Sequence, residues 1–172
     1  MENNSTGCCS GACSCNSEIP KKEINIDFLY LDLSVCERCQ GTETNLDEAM
    51  NEVRAVLNAA GYVVSINKVN ITSKELAVKY EFVSSPTIRI NGRDISPEVK
   101  ESNCKDCGDL CGDNVDCRVW SYEDKEYTEP PKALIINAIL KEVYAEKTID
   151  STKKEEYKLP ANLEVFFNGK NK

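Results

Sequence analysis

In the stretch INIDFLYLDLSV, residues 24–35, apolar positions fall on both alternations around FLYL at 28–31. A strand with that pattern is covered on both faces, so the segment predicts a central strand that delivers Cys36 at its C-terminal end. Asn45 followed by Glu48 resembles a capping box, and Leu46, Ala49, Met50, Val53, Val56, Leu57 and Ala60 then recur at helical spacing until Gly61. YVVSINKVNI, from Tyr62, is rich in β-branched residues and predicts a second strand; Thr72 or Ser73 then caps a shorter helix carrying Leu76, Ala77 and Tyr80. VSSPTIRINGRDIS predicts two short strands joined at Asn91-Gly92, a strong hairpin signal. PPKALIINAILKEVYAE has proline in its first turn and a wide apolar face, and predicts the closing helix.

The predicted order is β-α-β-α-β-β-α, with a Cys-rich insertion before the last helix. That is the element order of a thioredoxin-like α/β fold. It divides the chain into a flexible Cys-rich tail at 1–23, a thioredoxin-like domain at 24–146 with its insertion at about 100–128, and a C-terminal extension at 147–172. Within the extension, KLPANLEVFFNGK predicts a short proline-started helix ending near Gly169 and docked through Leu163, Phe166 and Phe167, with a terminal strand as the alternative. SKELAVKYEF and AEKTIDSTKKEEYK read as solvated charged stretches. Trp120 and Tyr122 alternate as on a half-buried strand, where packing is their role.

Composition narrows the chemistry. The formal net charge is −8, with no basic stripe, so the electrostatic footprint of nucleic-acid binding is missing. No apolar run is long enough to span a bilayer, which sets aside a membrane partner. MENNSTGCCSGACSC has neither the basic nor the apolar region of a secretory signal, so a cytoplasmic location is expected. In that compartment ten cysteines point to metal binding or redox chemistry ahead of a disulfide scaffold. There is no histidine, which leaves thiolates and carboxylates as ligands. The expected cofactor is zinc or another thiophilic metal, with no organic cofactor.

LYLDLSVCERCQGT, VSSPTIRINGRDI, CGDLCG, CRVWSY and PPKALIINAIL, in that order, resemble an uncharacterised thioredoxin-like family, DUF2703, over roughly residues 24–144. The resemblance implies a fold and carries no catalytic assignment. Likeness to thioredoxins and glutaredoxins also implies a cis-proline at Pro86, facing the dithiol. The aromatic residue and Gly-Pro of true thioredoxins are absent: Val35 precedes Cys36, and Glu37-Arg38 intervene. With Gly41 beyond Cys39, the dithiol is expected on a loop ahead of the helix, with little help from its dipole.

Three groups of thiols carry the candidate chemistry. Cys36 and Cys39 form a C-x-x-C in which Cys36 attacks a disulfide or captures a soft metal and Cys39 resolves or chelates, while Ser85 and Pro86 shape the substrate edge. Cys104, Cys107, Cys111 and Cys117 include a C-x-x-C-G resembling a zinc knuckle. A structural metal ranks first for them, local disulfides second and an iron-sulfur cluster third. A further arrangement joins Cys36 and Cys39 to Cys104 and Cys107. In the tail, Cys8, Cys9, Cys13 and Cys15 offer dense soft ligands for Cu(I), Zn(II), Hg(II) or trivalent arsenic. The leading expectation is thiol-disulfide exchange with a protein or small-molecule thiol or disulfide. The alternative is non-catalytic binding or transfer of a thiophilic metal or metalloid.

Overall fold

The computed structural model describes residues 21–144 and 156–170. Of the stretch expected to be a flexible tail, residues 1–20, with Cys8, Cys9, Cys13 and Cys15, lie outside them, while Lys22 and Glu23 already belong to the first strand, so the domain starts earlier than expected. The described chain is mixed α/β, with two sheets and five helices.

The first sheet holds β1 (Lys22–Tyr30), β2 (Tyr62–Asn70), β3 (Thr87–Ile90) and β4 (Arg93–Asp94) in the order β2-β1-β3-β4. β2 runs parallel to β1, and β3 and β4 follow as antiparallel neighbours. β1 is central and apolar on both sides for a physical reason: Ile24, Ile26 and Phe28 enter one core and Leu29 enters another, all nearly inaccessible to water. Asn91 and Gly92, both at positive φ (50° and 81°), turn β3 back as β4, the conformation a tight hairpin requires. The Ser85–Pro86 bond at the head of β3 is cis.

Helix α1 (Glu37–Ala59) connects β1 to β2, and α4 (Lys132–Tyr144) packs against it. Leu46, Met50, Val53 and Leu57 of α1 meet Ile135 and Ile139 of α4 over the sheet. Each such side chain contributes roughly 1.5–3 kcal/mol on burial. Opposite lies a second core, bounded by α2 (Lys74–Lys79) and α5 (Ala161–Lys170). Here Leu163, Phe166 and Phe167 of α5 cover Leu29, Leu31, Ile71 and Phe82.

Between β4 and α4 the chain builds the second sheet, β5 (Lys100–Asn103), β6 (Asp116–Tyr122) and β7 (Lys125–Tyr127), with helix α3 (Lys105–Cys111) between β5 and β6. This sheet is tied to the first through Arg118, whose side chain is fully buried. Its guanidinium grips both carboxylate oxygens of Asp94 at 2.7 and 2.8 Å, donates to Thr87 Oγ1 and lies over the Trp120 ring. Its backbone N–H donates to the Ser85 carbonyl at 2.7 Å. Among the described residues, no helix is long and apolar enough to cross a membrane.

Candidate metal centre

β1 ends after Tyr30 because Asp32 folds the chain into a turn: its carboxylate accepts from the Ser34 N–H, the Ser34 hydroxyl and the Val35 N–H. Cys36 follows, and α1 starts at once. The expectation of a dithiol on a loop is therefore corrected: Cys36 is the N-cap residue of α1 and Cys39 stands in its first turn. The apolar stripe of α1 begins earlier than Leu46, because Cys39 and Thr42 occupy its buried face. Thr42 Oγ1 satisfies itself on the Arg38 carbonyl at 2.7 Å.

The second C-x-x-C stands in the same way on α3. Cys104 is its N-cap and Cys107 lies in its first turn. The β5–β6 ladder pairs Ser102 with Cys117, and the Cys104 N–H continues it by donating to the Val115 carbonyl at 2.8 Å. The ladder thus fixes Cys104 beside Cys117, and the first turn of α3 brings Cys107 to them, its sulfur 3.4 Å from that of Cys117. Gly108 follows Cys107 for a steric reason: a Cβ there would come within 2.9 Å of the Asp113 carbonyl oxygen, so glycine lets the chain return beneath the helix.

Cys36 is brought in from the far side by two clamps. The Asp106 carboxylate accepts from the Glu37 N–H at 2.9 Å, satisfying an open donor of α1. Arg38 reaches the other way and donates to the carbonyls of Ser102, Asn103 and Cys117 and to the Ser102 hydroxyl.

The sulfurs of Cys36, Cys104, Cys107 and Cys117 consequently lie within 4.8 Å of one another, and all four residues are buried. Four ligands at the usual zinc–thiolate distance of about 2.3 Å stand ~3.8 Å apart in a tetrahedron, so the cluster has the size that could hold one metal ion. None of the six described cysteines is bridged.

Without a cation, crowding makes the thiols share protons. Hydrogen bonds from Cys104, Cys107, Cys117 and Cys39 hold Cys36 far below the ordinary thiol range, against the effect of burial. Cys104 is drawn down to about 7 by Cys107 and Cys117. Cys107 and Cys117 are pushed up, each first by its bond to Cys104. Four thiolates in so small and dry a volume repel one another, and a positive ion at their centre is what lets all of them lose their protons.

The sequence match that stands out is to the family DUF2703, described as a domain of unknown function, over residues 24–139. The chain belongs to the DUF2703 family. No curated protein and no solved structure matches it. The matched span of this DUF2703 chain contains all four clustered cysteines.

The cluster differs from the groupings expected from sequence. Cys111 is outside it: its thiol faces the carbonyls of Gly108 and Asp113. Its sulfur is not among those that lie within 4.8 Å of one another. Cys39 is also outside, with its sulfur 3.4 Å from Ser85 Oγ, which in turn accepts from the Leu31 N–H. Its thiol is pushed up by its bond to Cys36 and by burial. Pro86 is buried next to Ser85. Arg38 and Asp106 were not singled out as positioning residues, although a charged pair inside two C-x-x-C motifs was visible; their partners are backbone groups from distant segments, which leave no mark in a sequence.

Proposed function

We propose that this protein binds one thiophilic metal ion, zinc in the first instance, through Cys36, Cys104, Cys107 and Cys117. The observation that carries the reading is the mutual approach of four buried sulfurs contributed by three separate elements. The donor set is all thiolate and closed, which suits a structural or carrier ion better than a hydrolytic one, since a catalytic zinc keeps a position for water or substrate. The surroundings suit it as well. Zinc with four thiolates carries two negative charges, and Arg38 together with the N-terminus of the long helix α1 supplies positive potential beside them. The thiols would be held reduced in a cytoplasmic setting.

Thiol-disulfide exchange is the second reading. The sheet order β2-β1-β3-β4, the helix following β1 and the loop of Ser85 and Pro86 beside Cys39 support a thioredoxin-like domain in which Cys36 attacks and Cys39 resolves. It ranks second because Cys36 is engaged by three other thiols of the cluster.

The test is metal analysis and native mass spectrometry of anaerobically purified full-length protein. One zinc per chain is expected, bound at least ~100-fold more weakly by Cys107→Ser. Reduction of a model disulfide by metal-free protein, with no metal uptake at any concentration, would reverse the order of the two readings.

A further inference from the structure

Cys39 has no task in a four-thiolate site. It is fully buried, it stands in the first turn of α1 three residues after the N-cap Cys36, and its sulfur lies 3.4 Å from Ser85 Oγ. Residues three apart on a helix have Cβ atoms ~5–6 Å apart, and a modest closing movement brings such a pair into the range of a disulfide. The other described cysteine outside the cluster, Cys111, is turned to carbonyl oxygens at its own helix end.

Resting on the metal-binding reading, we infer that Cys36 has two alternative partners, the ion and Cys39, and that oxidation of the pair expels the metal. The oxidant class that fits a closed, buried site is a hydroperoxide, hydrogen peroxide being the smallest. The Cys36 thiolate attacks one peroxide oxygen, the O–O bond breaks, and hydroxide leaves, giving Cys36 sulfenic acid. The Cys39 thiol then attacks the Cys36 sulfur. An S–S bond forms, the S–O bond breaks, and the departing hydroxide leaves as water with the Cys39 proton. Two thiol sulfurs have been oxidised and one peroxide reduced to the level of water. Cys36 no longer carries the charge that binds the ion, which is left with Cys104, Cys107 and Cys117.

The geometry also says why this pair acts and not Cys104 with Cys107. Both members of the second pair are cluster thiols, so a disulfide between them would have to strip two ligands from a bound ion at once. The first pair strips one, and its second thiol waits beside it.

The experiment uses full-length protein loaded with zinc alone and exposed to hydrogen peroxide, with zinc release followed by a chromogenic chelator and disulfides mapped by peptide mass spectrometry. Wild type is expected to release zinc together with formation of one Cys36–Cys39 disulfide. Cys39→Ser is expected to bind zinc as tightly as wild type and to release it at least tenfold more slowly. Equal release rates in the two proteins, or a first disulfide mapped between Cys104 and Cys107, would overturn the inference while leaving the metal site in place. Failure of wild type to take up zinc would overturn the metal site itself and this inference with it. Should Cys39→Ser fail to fold, the wild-type peptide map decides alone.

Discussion

Helices α1 and α3 open in the same way. Cys36 and Cys104 are both N-cap residues in extended conformation, with φ, ψ of −84°, 105° and −117°, 108°, and neither side chain makes a capping bond. Cys39 and Cys107 follow at the same spacing. Yet α3 gives both thiols to the cluster and α1 gives one. The difference comes from what lies over each turn. Above α3 is β6, which brings a third thiol in Cys117; above the first turn of α1 is the Ser85 loop, which brings a hydroxyl. The spacing of two cysteines determines that they can act together, and the neighbouring chain determines on what. The residues between the cysteines lock the two turns to each other: Asp106 of the second caps the first, and Arg38 of the first holds the carbonyls around the second.

The largest effect should separate Cys107 from Cys39. If total zinc affinity is about 10–16 kcal/mol, loss of one ligand of four costs about 3 kcal/mol, so Cys107→Ser is expected to weaken zinc at least ~100-fold. Cys39→Ser is expected to change it less than ~3-fold, both measured by competition with a chromophoric chelator. Equal losses would mean that the two turns are equivalent after all.

Next is the ion itself. With free zinc at about 100 times its dissociation constant, the folded state gains about 2.7 kcal/mol, which for a chain of this size raises the melting temperature by about 5–10 °C. A chelator should remove that increment from wild type and from Cys39→Ser, and at the same free zinc should remove no more than about 0.4 kcal/mol from Cys107→Ser, as read by thermal denaturation.

Arg38→Met keeps the length of the side chain and deletes its hydrogen bonds to the Ser102, Asn103 and Cys117 carbonyls. A zinc affinity about 10-fold lower is expected, in line with outer contacts of metal sites. Asp106→Ala, which removes only the acceptor for the Glu37 N–H, should cost about 1 kcal/mol of stability by urea unfolding and affect zinc less.

The smallest effect concerns the approach to the first turn. Partial burial works to raise the Asp32 pKa, but bonds from the Ser34 hydroxyl and N–H and the Val35 N–H, with Lys170 nearby, outweigh it and hold the carboxyl below its usual value. A folded value below the unfolded one stabilises fully above the unfolded pKa and is lost as pH falls through the folded one. Asp32→Ala in metal-free protein is expected to lose about 0.5–1 kcal/mol at neutral pH, a gap that closes as the pH falls below the ordinary carboxylate range in urea titrations.

Much of the fold could be read from periodicity. β1 stood out because it is apolar on both sides, the β3–β4 turn because Asn91-Gly92 suits two consecutive positive φ angles, and α4 because of its proline and wide apolar face. The start of α1 was hidden because its buried face there is made of Cys39 and Thr42 in place of aliphatic residues, and because Gly41 reads as a break. Gly41 is in fact helical, and the Glu129 carboxylate occupies the space its Cβ would take. The thiols were legible as candidates and their grouping was not. Cys36 joins Cys117 only because β5 and β6 pair in one register and α1 docks on them, and contacts of that range are written in no local pattern.

The four sulfurs also have an order in time. A ribosome adding roughly 5–20 residues per second takes roughly 4–16 s to go from Cys36 to Cys117. For that interval the first pair of cysteines is present in the growing chain without its later partners, and the site can close only after Cys117 has been made. An ion bound by the complete set would therefore be captured late in folding, when the second sheet, carrying Cys117, settles onto a helix made long before it.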